Sequence, residues 1–281
     1  MSANGLYRVI LSDNPWEQRD RKEHRRDNPD QLNRFGVGAQ GHYERLYGLG
    51  TMKTEDLIRL GPLVSQFSAP DGWLFQWVLN QMIPEGLEVM KAWGFTFKQV
   101  ALIWSKVTPG QKGAKDAFRE GEGKIKPGVG RYTFTCLEQL FLGVKGSPWT
   151  NNTGCFNRPN QEVLTAFEED FQGEKGLWDD LEGMGAPVYR VSHPRGEMTY
   201  VDKKTKQKVT KQGIIPARKP AIFQELLYDW LKPFAGEGNQ FLEMFATEEK
   251  PGWDATGVAI SGMDIFDELQ NRLDLRNLVL A

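Results

Sequence analysis

The sequence predicts an α/β fold built on a largely parallel sheet. Short apolar runs at residues 7–11, 73–79 and 100–104 have the length and composition of buried strands. Between the second and third runs, Leu87, Met90 and Trp93 recur at helical spacing over residues 84–93, and Gly94 follows as a stop. A strand, a helix and a strand in that order imply a right-handed crossover between parallel strands.

The 281 residues are 40% apolar and 26% charged, ordinary globular composition with enough material for one large core or two small ones. A formal charge of -2 argues against a general polyanion coat, so a nucleic-acid contact has to come from a local basic patch. There is no run of about 18 apolar residues to span a membrane. Asp13 and Trp16 interrupt any signal pattern at the start, so a cytoplasmic protein is expected. Cys136 and Cys155 lie far apart without a CxxC, which fits a reducing compartment. His24, His42 and His193 have no ligand spacing, and no metal is expected.

In chain order, the first run ends in Asp13-Asn14-Pro15-Trp16. Residues 17–33 are polar without period and read as a long loop, in which Arg19, Arg21, Lys22, Arg25 and Arg26 are placed to meet phosphates. Residues 35–50 are glycine-rich. A short helix opens near Thr54, a candidate N-cap, and Gly61-Pro62 is expected to end it. Asp71-Gly72 reads as a turn before the second strand. Residues 106–130 read as a long loop of the lid or binding type. Residues 137–144 resume the core, and residues 149–185 are polar. Residues 188–209 suggest a β-hairpin turning at Pro194-Arg195-Gly196 or at Asp202-Lys203-Lys204, and its lysines form the most basic cluster. Pro220 introduces a helix over residues 221–231. Residues 240–246 form a last strand, Pro251-Gly252-Trp253-Asp254 a turn, and residues 265–275 a final helix.

At the end of a buried strand, Asp13-Asn14-Pro15-Trp16 presents a carboxylate, a backbone carbonyl and an indole face. These are the parts needed to hold a planar base by its exocyclic amine, although Asp, Asn and Pro after a strand are also ordinary turn chemistry.

Further segments join it in order. They are Tyr47-Gly48 with Thr51-Met52, Trp73-Leu74-Phe75-Gln76-Trp77-Val78, Ala92-Trp93-Gly94-Phe95 and Ile103-Trp104-Ser105-Lys106. Then come residues 138–146 (EQLFLGVKG), Arg218-Lys219-Pro220, residues 241–246 and Pro251-Gly252-Trp253-Asp254. Together they resemble the adenine N6-methyltransferases related to the catalytic subunit of the mRNA adenosine methyltransferase, with their phage and bacterial DNA-modifying members. There the tetrapeptide is Asp-Pro-Pro-Trp and the second strand carries "LFLWV". The resemblance covers most of the chain outside about residues 17–42, 107–128 and 147–212.

The resemblance implies a Rossmann-like methyltransferase sheet in circularly permuted motif order, with the catalytic strand first and the cofactor strand near the end. It implies one domain, 1–281, with about 147–212 as an insertion for target recognition or a partner. It implies S-adenosylmethionine (SAM) as donor and a nucleic acid as acceptor, with a homo- or heterodimer left open; the compact chain, with no extra nucleic-acid module, favours DNA before RNA. Asp13, Asn14, Pro15 and Trp16 would be catalytic, with Trp16 stacked on the base. Asp13, Lys219, Glu243, Phe245 and Trp253 would meet the cofactor, and Tyr47, Trp104 and Glu138 would line the substrate pocket. The Arg19–Arg26 cations with Lys203 and Lys204 would grip the strand. Three departures stand out: Asn14 replaces a proline, Thr247 an arginine, and Val258-Ala259 a polar pair. They keep open a degenerate nucleic-acid-binding or partner subunit.

Overall fold

The computed structural model describes residues 6–17, 51–108, 124–125, 137–148, 159–167, 188–192, 195–201, 208–214, 219–235 and 240–280. Tyr47, the cations from Arg19 to Arg26, and Lys203 and Lys204 lie outside the described residues.

The chain opens with β1 (Tyr7–Ser12), α1 (Thr54–Arg59), α2 (Gly61–Phe67), β2 (Ser68–Val78) and α3 (Ile83–Ala92). It continues with β3 (Thr96–Thr108), β4 (Lys124–Ile125), β5 (Leu137–Lys145), β6 (Glu162–Phe167), β7 (Val188–Val191), β8 (Arg195–Val201) and β9 (Lys208–Ile214). It closes with α4 (Ile222–Ala235), β10 (Phe241–Met244), β11 (Asp254–Thr256), α5 (Val258–Ser261) and α6 (Ile265–Leu280). The main sheet runs β11-β10-β1-β2-β5-β3-β6-β7, with β4 paired to β3. This is an α/β architecture of the Rossmann-like methyltransferase kind.

From β11 to β2 every pairing is parallel. β5 is antiparallel to both β2 and β3, and β6 and β7 run parallel to β3. β2 and β3 are therefore parallel to each other, as the strand–helix–strand pattern predicts, but with β5 inserted between them.

Successive side chains of β1 point to opposite faces. Ile10 joins Leu57, Val64, Met90 and Leu269, from α1, α2, α3 and α6. Val9 and Leu11 join Phe223, Leu227 and Leu231 of α4. The link from β1 to β2 thus covers one face, whereas the helix leading into β10 covers the other. β1 and β10 are neighbours, with Ser12 opposite Met244. Their carboxyl ends form the switch point at which open α/β sheets bind ligands.

Several local expectations are corrected. Lys53, not Thr54, is the N-cap of α1, without a side-chain cap. Gly61-Pro62 starts α2, because proline fits the first helical turn, where no intrahelical donor is needed. Asp71-Gly72 lies inside β2. Leu87 is exposed. The inner face of α3 is Gly86, Val89 and Met90, and a Cβ on Gly86 would sit 2.8 Å from Val78. Lys106 still belongs to β3, and residues 124–125 form β4, within the stretch expected to be loop. Of the two hairpin alternatives, the earlier is corrected, because Arg195 and Gly196 lie inside β8 and β7 joins the main sheet; β8 and β9 pair antiparallel, and the later alternative, Asp202-Lys203-Lys204, lies outside the described residues. β6, β11 and α5 were not foreseen. No helix among the described residues is long and apolar enough to cross a membrane.

Candidate functional site

The tetrapeptide leaves β1 at the switch point. The Trp16 amide donates to the Asn14 carbonyl at 2.9 Å, closing a tight turn and leaving that oxygen a second lone pair. Met52 donates to the Pro15 carbonyl at 2.7 Å, and Glu17 donates to the Met52 carbonyl at 2.8 Å. The Trp16 indole donates to the Trp77 carbonyl at 3.1 Å, within the core on the α1–α3 face. Trp16 is 7% exposed, so this indole braces the turn and offers little face for the stacking expected of it.

Asp13 points the other way. The Lys219 ammonium lies 3.2 and 3.1 Å from its two carboxylate oxygens and 3.0 Å from Glu138. Lys106, on β3, donates to the other Glu138 oxygen at 2.8 Å. β1, β3, β5 and the residues before α4 thus each supply one charge. Beneath them Trp77, Trp104 and Phe223 pack edge to face, with centroids 4.9–6.3 Å apart. Lys106 lies 3.8 Å and Lys219 5.9 Å from the Trp104 centroid, contacts that favour cations on a π face. Trp104 is buried, its indole held at 2.7 Å by Thr165, so it floors the site.

Burial and charge set the protonation states. Burial opposes Glu138 ionisation, but the Lys219 and Lys106 ammoniums overcome it and pull its pKa down to about 2. Burial pushes Asp13 up, Lys219 pulls against that, and the Glu138 charge adds to the rise. Burial disfavours the Lys219 charge, yet Asp13 and Glu138 hold its pKa above the usual lysine range. Glu243, at the end of β10, is pushed up to about 7 by burial and by the Asp13 charge. Its side chain accepts from Gln224 of α4.

The expected site residues separate into groups. Asp13, Glu138 and Lys219 meet directly, Trp104 lies under them, and Glu243 is coupled electrostatically to Asp13. Phe245 follows β10 at φ 60, a rare conformation for a bulky residue. Trp253 packs on Phe241, centroids 5.0 Å apart, in the core on the α4 face. Sequence reasoning gave no role to Lys106, Gln224 or Trp77. The signal for Gln224 was a polar residue among the apolar inner positions of α4.

The residues suit SAM in charge. Asp13, Glu138, Glu243 and Glu248 outnumber Lys106, Lys219 and Lys250, and a sulfonium with an amino group is drawn to that excess. Lys219 offers an ammonium that would suit the donor's carboxylate, and Glu243 an acceptor that would suit a hydroxyl. Gly257, at φ 150, has no room for a Cβ, which would lie 2.8 Å from the Ala246 carbonyl, so the backbone after β11 closes onto the end of β10. Val258 and Ala259, beside it, bring no polar side chain.

The MT-A70 family model matches residues 7–176, a span that holds Asp13, Trp104 and Glu138 and ends before Lys219 and Glu243. No curated protein matches the chain. With the tetrapeptide at the switch point of a Rossmann-like sheet and most of the chain matched, the protein belongs to the MT-A70 family, that of the mRNA adenosine methyltransferase catalytic subunit and related N6-adenine methyltransferases of nucleic acid.

Proposed function

We propose that this protein transfers a methyl group from SAM to the exocyclic amine of adenine in DNA, as a phage or bacterial DNA-modification enzyme of the cytoplasm. The observation that carries the reading is the gathering of Asp13, Glu138 and Lys219 at the carboxyl end of β1. The adenine amine is a poor nucleophile because its lone pair is delocalised into the ring. Asp13 and the free lone pair of the Asn14 carbonyl accept one amine hydrogen each and turn the nitrogen lone pair out of conjugation. SAM, when bound, supplies an electrophilic methyl group. The protein contributes positioning and charge aimed at the transition state, without covalent catalysis. Lys219 would hold the donor's carboxylate, and an ammonium turned to that group would leave Asp13 to accept from the amine. Trp77 and Trp104 keep water from beneath the reacting groups.

A base inside a duplex has to be flipped out or met in a single strand. The cations Arg19, Arg21, Lys22, Arg25, Arg26, Lys203 and Lys204 are assigned to the phosphates, and residues 147–212 to target recognition or a partner. DNA is the proposed target because the described residues hold one methyltransferase sheet and no second nucleic-acid module; RNA is the competing substrate. Labelled SAM with unmodified DNA or RNA, followed by nucleoside mass spectrometry, tests the proposal. N6-methyladenine in DNA is expected, and no transfer to either polymer, alone or with a partner subunit, refutes it. The apolar Val258-Ala259 pair and Thr247 favour a second reading, a non-catalytic subunit that binds nucleic acid. Nucleic-acid binding without measurable SAM binding in calorimetry would select it.

A further inference from the structure

We infer that Gln76 is a positioning residue that works through Asn14, the two amides and Ser12 forming one buried network behind the tetrapeptide. The inference rests on the proposed role of the Asn14 carbonyl and adds a regulator of its geometry.

The sheet places these residues together. Ser12 and Gln76 are registered partners across β1 and β2. Their flanking pair Ile10 and Leu74, with Val78, belongs to the α1–α3 face, so Ser12 and Gln76 share that face by alternation. Asn14 lies two residues beyond Ser12, and the Ser12 hydroxyl donates to its side-chain carbonyl at 2.5 Å. Ser12 and Gln76 are 0% exposed and Asn14 4%. The Asn14 side-chain nitrogen and both polar atoms of Gln76 are without a hydrogen-bond partner among the described residues.

Unpaired buried amides in an apolar layer are costly, and Ser12 links these two: it is the registered partner of Gln76 and is bonded to Asn14. Their groups are complementary: an Asn14 N–H donor, a Gln76 acceptor and a Gln76 donor, with Ser12 Oγ free to accept. A rotation of the Gln76 side chain closes the ring, with Asn14 donating to Gln76, Gln76 to Ser12 and Ser12 to Asn14.

The ring has a mechanical consequence. Asparagine has no pyrrolidine to fix its φ. The Asn14 carbonyl sits in a turn held by the Trp16 amide, and the Trp16 indole is held by the carbonyl of Trp77, next to Gln76. Gln76 and Trp77 thus clamp Asn14 and Trp16 to the end of β2. Without Gln76, the Asn14 side chain keeps only its Ser12 bond, and the carbonyl that accepts the amine is less well aimed.

The test combines kinetics with a stability cycle. Wild type, Gln76→Leu, Asn14→Pro and the double variant are assayed for transfer to adenine-containing DNA and RNA. Gln76→Leu is expected to lower kcat roughly tenfold to a hundredfold, with KM for SAM unchanged, as for small misplacements of reacting groups. The double variant, with a proline to aim the carbonyl and no amide left unpaired, is expected to recover most of that loss. A Gln76→Leu enzyme with wild-type kcat, or no recovery in the double variant, overturns the inference. Separately, unfolding midpoints of Gln76→Leu, Asn14→Ala and their combination report whether the amides are paired. Less than additive loss is expected, and strict additivity overturns the pairing. If wild type transfers no methyl group, the proposed function fails and the role of the network with it. An active wild type without coupling refutes the network alone.

Discussion

Glu138 and Glu243 both face Asp13, yet their environments push them in opposite directions. Glu138, at the start of β5, has an ammonium on each oxygen and is pulled down to about 2. Glu243, at the end of β10, has the neutral Gln224 amide for its close partner and is pushed up to about 7. Both are partly buried, so the difference lies in the cations each rim supplies. The rim assigned to the base is charge-compensated in advance. On the rim assigned to the cofactor the nearby Lys250 is paired with Glu248, so the Glu243 charge is only weakly compensated, and a cationic donor would stabilise its ionised form. Binding of SAM is therefore expected to release a proton near neutral pH, a second reason to place the donor there.

The largest expected effect comes from removing the group both rims share. Asp13→Ala should lower methyl transfer by about 10²–10³, the usual loss when one preorganised polar partner is deleted. Lys219 keeps Glu138, and Asp13 is a third exposed, so stability should change by no more than about 1 kcal/mol. Radiolabel transfer and thermal unfolding measure the two quantities. Near-normal turnover would remove Asp13 from the mechanism.

Lys219→Met strikes the compensated rim. It leaves Asp13 facing Glu138 with Lys106 as the remaining cation acting on it among the described residues, at a site where Lys219 is 17% exposed. Breaking such a partly buried pair should cost about 2–3 kcal/mol, below the loss for full burial. The KM for SAM should rise at least about tenfold if Lys219 receives the donor's carboxylate. Lost stability with an unchanged KM would leave Lys219 as a structural cation only.

Glu243→Gln strikes the other rim and should be read as a pH profile. In the unfolded chain Glu243 gives up its proton near 4.5, whereas in the folded protein it keeps it to about 7. The folded state therefore binds the extra proton in this window, and wild-type stability should fall as pH rises through it, by at most about 3 kcal/mol. Glu138 has the opposite sign: its contribution is present above 4.5 and lost as pH falls toward 2. Denaturant melts at several pH values should show a flatter slope between 4.5 and 7 for Glu243→Gln. An unchanged slope would show that Glu243 ionises normally.

Much of this was legible in the sequence where burial leaves a pattern. β1, β5 and α3 announce themselves as apolar runs or a helical period, and the resemblance identified Asp13, Glu138 and Lys219 one by one. Their meeting was not legible from spacing, since strand order decides it: β5 folds back between β2 and β3 and carries Glu138 to Lys106 and Lys219. β11 was missed because three residues are too short for a period, and β6 because Thr165 and Ala166 at its buried positions make no strong apolar run. Pro62 was misread because a proline ends one helix as readily as it starts the next. Gln76 and Asn14 were visible as polar residues at apolar positions, but only the register places Gln76 opposite Ser12, the residue bonded to Asn14.

The smallest effect should come from Trp16→Phe, which alters neither rim's charge. The change removes the indole donor and leaves the Trp77 carbonyl, 3.1 Å away, without that bond in a buried setting. Loss of such a bond should cost about 1 kcal/mol, with a little more for the lost ring volume. Because the indole braces the turn rather than carrying charge, the pH slopes assigned to Glu138 and Glu243 should stay where they are in wild type. Transfer should fall only severalfold, since the Trp16 amide still holds the Asn14 carbonyl. Parallel melts and transfer assays across pH check this. A shifted pH profile would mean that Trp16 helps set the electrostatics of the site, and a loss as deep as that of Asp13→Ala would return the indole to the base-stacking role that its burial argues against.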